Sequence, residues 1–446
     1  MKNNKLWAKD SANQTYLEII EKFTVGKDKE FDVLLAEYDI IGTKAQAKML
    51  NKIGFISDAE NVEIQKELDE MLVLAQKQEL EIKDGVEDIH SQIEFNLIEK
   101  LGEAGKKIHT GRSRNDQVLL AIKLYLRAEI QSVAKLSKDL FQTLINLANE
   151  HQGKLMPGYT HFQIGMPSSF GLWFSAFAES LSEDLELLST AFSVVSKNPL
   201  GSGAGYGSAF PLDRDFTTQE LGLQKMNINA VYAQMTRGKS EKIVGFALSS
   251  IAATIGKLAN DICLFSNQNF GFFAFPSELT TGSSIMPHKK NPDVFELIRA
   301  KSSRIQSVPN ELILLTHNLM AGYNRDYQLT KEILFPAIKD MKDALAIFSF
   351  MLKHIEISEN ILQDKKYDYL FSVEKINELV LGGSSFRDAY REVGNSIENG
   401  TYDYRKTELN HSHKGSIGNL CLNEISENFN EIYNKITNES TGCNGF

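Results

Sequence analysis

DQVLLAIKLYLRAEIQSVAKLSKDLFQTLINLAN, residues 116–149, sets Val118, Ile122, Tyr125, Leu126, Ile130, Val133, Leu140, Leu144 and Leu147 at helical intervals. Asn115 reads as the N-cap, with Asp116 in the first turn. At 1.5 Å rise per residue such a helix runs to roughly 50 Å. Proline breaks helix interiors, and none of the nine prolines falls within residues 1–156 or 337–446. Segments 168–197, 213–270, 293–322 and 328–354 carry the same period with short interruptions, while alternating strand patterns are scarce. The fold class that follows is all-α, with three mainly helical regions: 1–111, a central long-helix bundle over 112–360, and a small C-terminal region over 361–446. Residues 243–265 are apolar on almost every face, interrupted by Ser249, Ser250 and Thr254. A helix like that is buried all round, as one chain's core or as the centre of a bundle shared between subunits.

Composition narrows the function. The 446 residues carry 48 Lys plus Arg against 58 Asp plus Glu, a net charge of −10. That balance argues against nucleic acid and anionic membrane as partners but leaves room for a local basic pocket. Cys263, Cys421 and Cys443 form no CxxC pair, which suits a reducing compartment. The first twenty residues lack the apolar stretch of a signal peptide. The longest charge-free apolar run, 243–256, has 14 residues, whereas a membrane span needs about 20. The chain reads as cytoplasmic. No HEXXH or other metal-ligand cluster and no phosphate loop is present, so neither metal nor cofactor is expected.

Four breaks between helices can face a ligand. TGSSIMPHKKNPD, residues 281–293, is a pliable Gly-Ser-Ser loop. In this reading Asn291 caps the following helix, Pro292 opens it, and Lys289 adds positive charge, a seat for a carboxylate. Taken alone, it also fits a mobile surface loop. KKIHTGRSRNDQ, residues 106–117, puts Arg112, Ser113, Arg114 and Asn115 at the start of the long helix. Arginine forks suit carboxylates, though a solvated basic helix start has the same spacing. MPGYTHFQ, residues 156–163, holds His161 in a turn bracketed by Pro157 and Pro167, where it could be a simple cap. NPLGSGAGYGSAFPLDR, residues 198–214, does not fit GxGxxG and no strand precedes it; it reads as a turn where backbone approaches another chain or a ligand.

Taken together these strings resemble the fumarase/aspartase superfamily, whose signature is GSSxMPxKxN. HTGRSRNDQ, residues 109–117, is similar to the hallmark of the argininosuccinate lyase family within it. EDIH (87–90) and YNRDYQLTK (323–331) resemble further segments of that family, and GGSSFRDAYREVG (382–394) and HKGSIGNL (413–420) continue the likeness more thinly. The resemblance implies elimination of argininosuccinate to arginine and fumarate by acid/base chemistry, without a cofactor. It implies Ser283 as base and His161 as acid, with Glu296 holding His161 charged and Lys289 and Asn291 stabilising the developing dianion. It assigns Asp88, His90, Ser113, Arg114, Asn115, Thr160, Tyr323, Gln328 and Lys331 to substrate holding. It also implies a homotetramer whose sites are shared between subunits.

The likeness has gaps. The family's N-terminal Gly-Arg-Phe is replaced by Leu6-Trp7-Ala8-Lys9-Asp10. Its Phe-Asn and following serine give way to Phe23-Thr24-Val25-Gly26-Lys27-Asp28, with a two-residue insertion. The Gly26 or Lys27 amide is a candidate substitute for the missing hydroxyl. His288 stands where Gln is usual, either a bystander or a pH-sensitive charge in the loop. Two rivals remain. One is another fumarate-releasing lyase, such as adenylosuccinate lyase, aspartase or fumarase. The other is a catalytically silent structural homologue.

Overall fold

The computed structural model describes residues 14–437; Leu6 to Asp10 and Cys443 lie outside them. The long helix spans Arg114–Glu150, 37 residues and hence about 55 Å. Its inward positions include Leu119, Ile122, Leu126, Ile130, Val133, Leu140 and Leu144, all buried. Around it pack Phe170–Val195, Lys239–Phe265, Asp293–Thr316 and Thr330–Leu352, forming one continuous apolar core. The central pair is close: a Cβ added at Gly256 would lie 3.0 Å from the Ser302 Cβ. Glycine there lets the two backbones approach. Pro309 and Pro336 lie inside helices rather than ending them.

The Lys239–Phe265 helix is not buried all round in one chain. Phe246, Ala253, Lys257 and Asn260 form an exposed stripe. The segment Ala230–Phe265 is long and apolar enough to cross a membrane, but 61% of its most apolar window is buried inside the fold, as in a core helix. The N-terminal helices Ala36–Lys52, Asp58–Gln76 and Ile89–Leu101 pack at one end of the long helix. At the other end of the chain, Leu422–Thr437 returns to the bundle, where Phe429 stacks on Phe141 at 3.9 Å.

Four local expectations need correction. Residues 155–169 are a β-hairpin, Leu155–Thr160 pairing antiparallel with Gln163–Ser169. The cap of the long helix is Ser113, not Asn115, because Asp116 three residues on completes a capping box. Asn291 does not cap its helix. Its backbone N–H donates to Thr281 O at 2.8 Å, and Pro292 takes the cap position. A two-residue strand, Lys197–Asn198, does precede the glycine loop, and that loop approaches Asp116 of its own chain. The Gly201 and Gly203 amides each donate to Asp116 Oδ2 at 2.9 Å.

Candidate active site

With Ser113 at the cap, Arg114 and Asn115 line a cavity of about 320 Å³. Five stretches of chain meet there: residues 25–32, 85–95, 114–118, Arg237, and 323–331. Of the sequence-predicted residues, Asp88, His90, Arg114, Asn115, Tyr323, Gln328 and Lys331 line it. Ser113 does not; its Oγ accepts from the Asn115 amide at 3.3 Å.

One wall is built on Arg114. Its Nη1 donates to Gln117 Oε1 at 2.9 Å and its Nη2 to Ser91 Oγ at 3.1 Å, while Nε stands 3.8 Å from Asp88 Oδ2. Asp88 caps the Ile89–Leu101 helix and accepts the Ser91 amide at 2.6 Å. Burial pushes the Asp88 carboxyl up, but Arg114, His90 and the Ser91 amide outweigh it and hold it below the usual range. Behind this wall His90 Nδ1 lies 3.0 Å from Asp39 Oδ1, both buried, and Gln117 Nε2 donates to the same carboxylate. Burial likewise opposes ionisation of Asp39, and His90, Arg112 and Gln117 prevail. A buried charge needs such partners.

The opposite wall is Lys331, whose Nζ contacts Asp28 at 2.6 Å and Asp32 at 2.5 Å. Arg325 Nη2 donates to Glu87 Oε1 at 2.9 Å, and Gln328 Nε2 to Thr24 O at 2.9 Å. These bonds tie residues 24–28 against the cavity. The Gly26 N–H is already bonded to Lys22 O, so it does not replace the missing hydroxyl. Arg237 closes the back, paired with Glu241 at 2.9 Å. Four permanent cations, Arg114, Arg237, Arg325 and Lys331, thus share the lining with Asp28, Asp32, Glu87 and Asp88. A pocket with both signs suits a ligand that carries carboxylates and cationic nitrogen together.

The remaining predicted residues stand elsewhere on the chain; none of Thr160, His161, Ser283, Lys289, Asn291 and Glu296 lines the cavity. Thr160 and His161 are exposed at the hairpin tip. His161 (φ 54°) and Phe162 (φ 58°) are both left-handed, in a two-residue turn that glycine and asparagine normally fill. Phe162 is 89% exposed. A strained turn that presents an aromatic ring to solvent costs stability without a local return.

The serine loop is pinched at its neck by the Thr281–Asn291 bridge. Within it Ser283 Oγ accepts the Met286 amide at 3.1 Å and the Ile285 amide at 3.4 Å. Thr281 Oγ1 donates to Asp293, and Glu296 is exposed in the first turn of the next helix. Among the described residues no group of three His, Cys, Asp or Glu side chains is placed to hold a metal ion.

Comparison with known proteins decides the family. Residues 14–307 match the family described as "Lyase". The argininosuccinate lyase of Phocaeicola vulgatus is 51% identical over 428 residues, 96% of this chain and 95% of that protein. That of Bacteroides fragilis is 51% identical, covering 95% of this chain and 94% of its own. The chain belongs to the argininosuccinate lyase family. Its fold resembles a solved EDDS lyase variant with bound fumarate, at TM-score 0.75 and 18% identity, covering 94% of this chain and 92% of that one. Against the argininosuccinate lyase pattern, Arg325 and Glu87 lie inside motifs already singled out, and their opposite charges were the available signal. Asp28, Asp32 and Arg237 carry no local signal; only the fold brings them to the cavity.

Proposed function

We propose that this carbon–nitrogen lyase splits argininosuccinate into arginine and fumarate in sites completed by neighbouring chains of a cytoplasmic homotetramer. The cavity holds the substrate: Arg114 and Lys331 take carboxylates, and Asp88 takes a cationic nitrogen. Ser283 removes the proton from the carbon beside a carboxylate. Its alkoxide is stabilised by the two loop amides that already point at Oγ and by the Lys289 charge. The electron pair left on carbon forms the double bond of fumarate as the C–N bond breaks. His161, kept charged by Glu296, gives a proton to the departing guanidino nitrogen.

The observation that carries this reading is the division of the predicted residues within one chain. Seven of the nine holding groups line a cavity, while base and acid stand on two exposed projections outside its lining. Exposed Phe162 at one projection and exposed Phe246, Leu297, Leu314 and Phe350 on the bundle helices fit burial against further copies.

Incubation with argininosuccinate is expected to release fumarate and arginine in equal amounts. Absence of both would overturn the function. Light scattering is expected to give a tetramer, and an active monomer would contradict the shared site. Co-assembly tests it further. His161→Asn and Arg114→Ala are each expected to be nearly inactive. Co-expressed at equal levels, they should recover about one quarter of wild-type activity, the chance that a shared site draws both intact residues. No recovery would place both residues in one chain's site.

A further inference from the structure

The structure assigns Asp28 the role of a proton-accepting partner that releases Lys331 to a substrate carboxylate. This inference rests on the reading of the cavity as the argininosuccinate site, and it concerns the stretch where the sequence departs from its family.

An ammonium has three N–H donors. On Lys331, buried to 4% side-chain exposure, one N–H donates to Asp32 Oδ1 at 2.5 Å, and Asp28 Oδ1 stands 2.6 Å away as a second ion-pair partner. Asp28 and Asp32 are one helical turn apart on Asp28–Asp32, and both line the cavity. Two carboxylates against one ammonium leave a charge of −1 in a confined space. A substrate carboxylate reaching for Lys331 would be a third anion at the same cation. The remaining cations relieve this only in part, each having a carboxylate of its own. Arg237 is paired with Glu241, Arg325 with Glu87, and Arg114 lies against Asp88 and Glu94. His90 also lines the cavity and is held by Asp39.

A proton on Asp28 resolves the conflict. The pair then carries −1 against the +1 of Lys331, and the neutral carboxyl offers an O–H donor. Asp28 is the member able to take it. Its side chain is 15% exposed against 2% for Asp32, so solvent reaches it through the cavity. Burial and the adjacent Asp32 have already pushed its carboxyl up to about 6, against the pull of Lys331 and Arg237. Binding a carboxylate beside it raises it further, so substrate arrives together with a proton from solvent.

The test is KM for argininosuccinate from about pH 5.5 to 8.5, in the wild type and in Asp28→Asn. It is paired with calorimetry of fumarate binding in two buffers of different ionisation heat. Below the raised value Asp28 is protonated and KM is low; above it the wild-type KM is expected to climb about tenfold, one pKa unit of coupling. Asp28→Asn is neutral at every pH. Its KM should lack this climb and lie below the wild-type value at pH 8, and fumarate should bind without the proton uptake seen in the wild type. Asp28→Ser should behave the same way, which covers a folding failure of the first variant. Identical pH profiles in wild type and variants, or no proton uptake by the wild type, would overturn the role of Asp28 while leaving the function standing. A wild type that releases no fumarate overturns both.

Discussion

Ser283→Ala is expected to lower turnover of argininosuccinate by about 10²–10⁴-fold, the usual loss for a general base, with KM and melting temperature little changed. The separation of effects follows from where the residue sits. Ser283 is on an exposed loop and contributes nothing to the apolar core, and its hydroxyl does no more than accept two amides of the same loop. Losing those bonds in contact with water leaves the amides hydrated, so the fold is spared. Chemistry is not spared. A serine hydroxyl becomes a base only if its oxyanion is stabilised, and the Met286 and Ile285 amides lie at 3.1 and 3.4 Å from that oxygen already. Lys289 supplies the full charge that amides lack. Lys289→Met should therefore cost a comparable factor, whereas Lys290→Met, one residue along the same loop, should not. Steady-state fumarate release beside circular-dichroism melts reads both quantities. A loss below about tenfold in a folded Ser283→Ala protein removes the serine from the base role.

How far the sequence carries can be judged residue by residue. The Arg114–Glu150 helix is legible because its apolar period is long and uninterrupted, which is where local pattern and tertiary burial agree. The hairpin was hidden. Pro157 and Pro167 read as loop punctuation, yet they pair with each other across a two-stranded ribbon, where a missing N–H can face outward. Its His161-Phe162 turn also lacks the asparagine or glycine that usually marks such a bend. At the long helix, Asn115 and Ser113 are both good caps, and the choice turns on Asp116 standing three residues after serine. The cavity was half legible. Motif positions named seven of its residues, but Asp28, Asp32 and Arg237 arrive from separate segments through packing alone. No local spacing encodes that meeting.

Asp116 shows what such a buried junction is worth. Asp116→Ala is expected to lose about 3–5 kcal/mol of stability, at about 1–3 kcal/mol for a buried donor left without its acceptor, and to lower activity with it. The carboxylate is fully buried and does three things at once. Oδ1 accepts the Ser113 amide at 2.9 Å and so fixes the cap that directs Arg114 and Asn115, while Oδ2 accepts the Gly201 and Gly203 amides. Alanine leaves three backbone donors without their acceptor, the Gly203 amide in a buried position. Asparagine is the discriminating variant. If charge alone mattered at this helix start, Asp116→Asn would lose only the dipole contribution of under about 1 kcal/mol. Here its amide must turn an NH₂ toward either the Ser113 amide or the two glycine amides, donor against donor, so Asp116→Asn should be nearly as unstable as Asp116→Ala. The pH dependence has a definite sign as well. Burial raises this carboxyl despite its hydrogen bonds, so the folded state binds the proton more tightly than the unfolded chain. The Asp116 contribution then declines as pH rises from the ordinary carboxylate range through the raised value. Chemical denaturation of wild type and both variants at neutral and mildly acidic pH reads the two effects together. An asparagine variant as stable as the wild type would mean that the glycine loop is held by something other than this side chain.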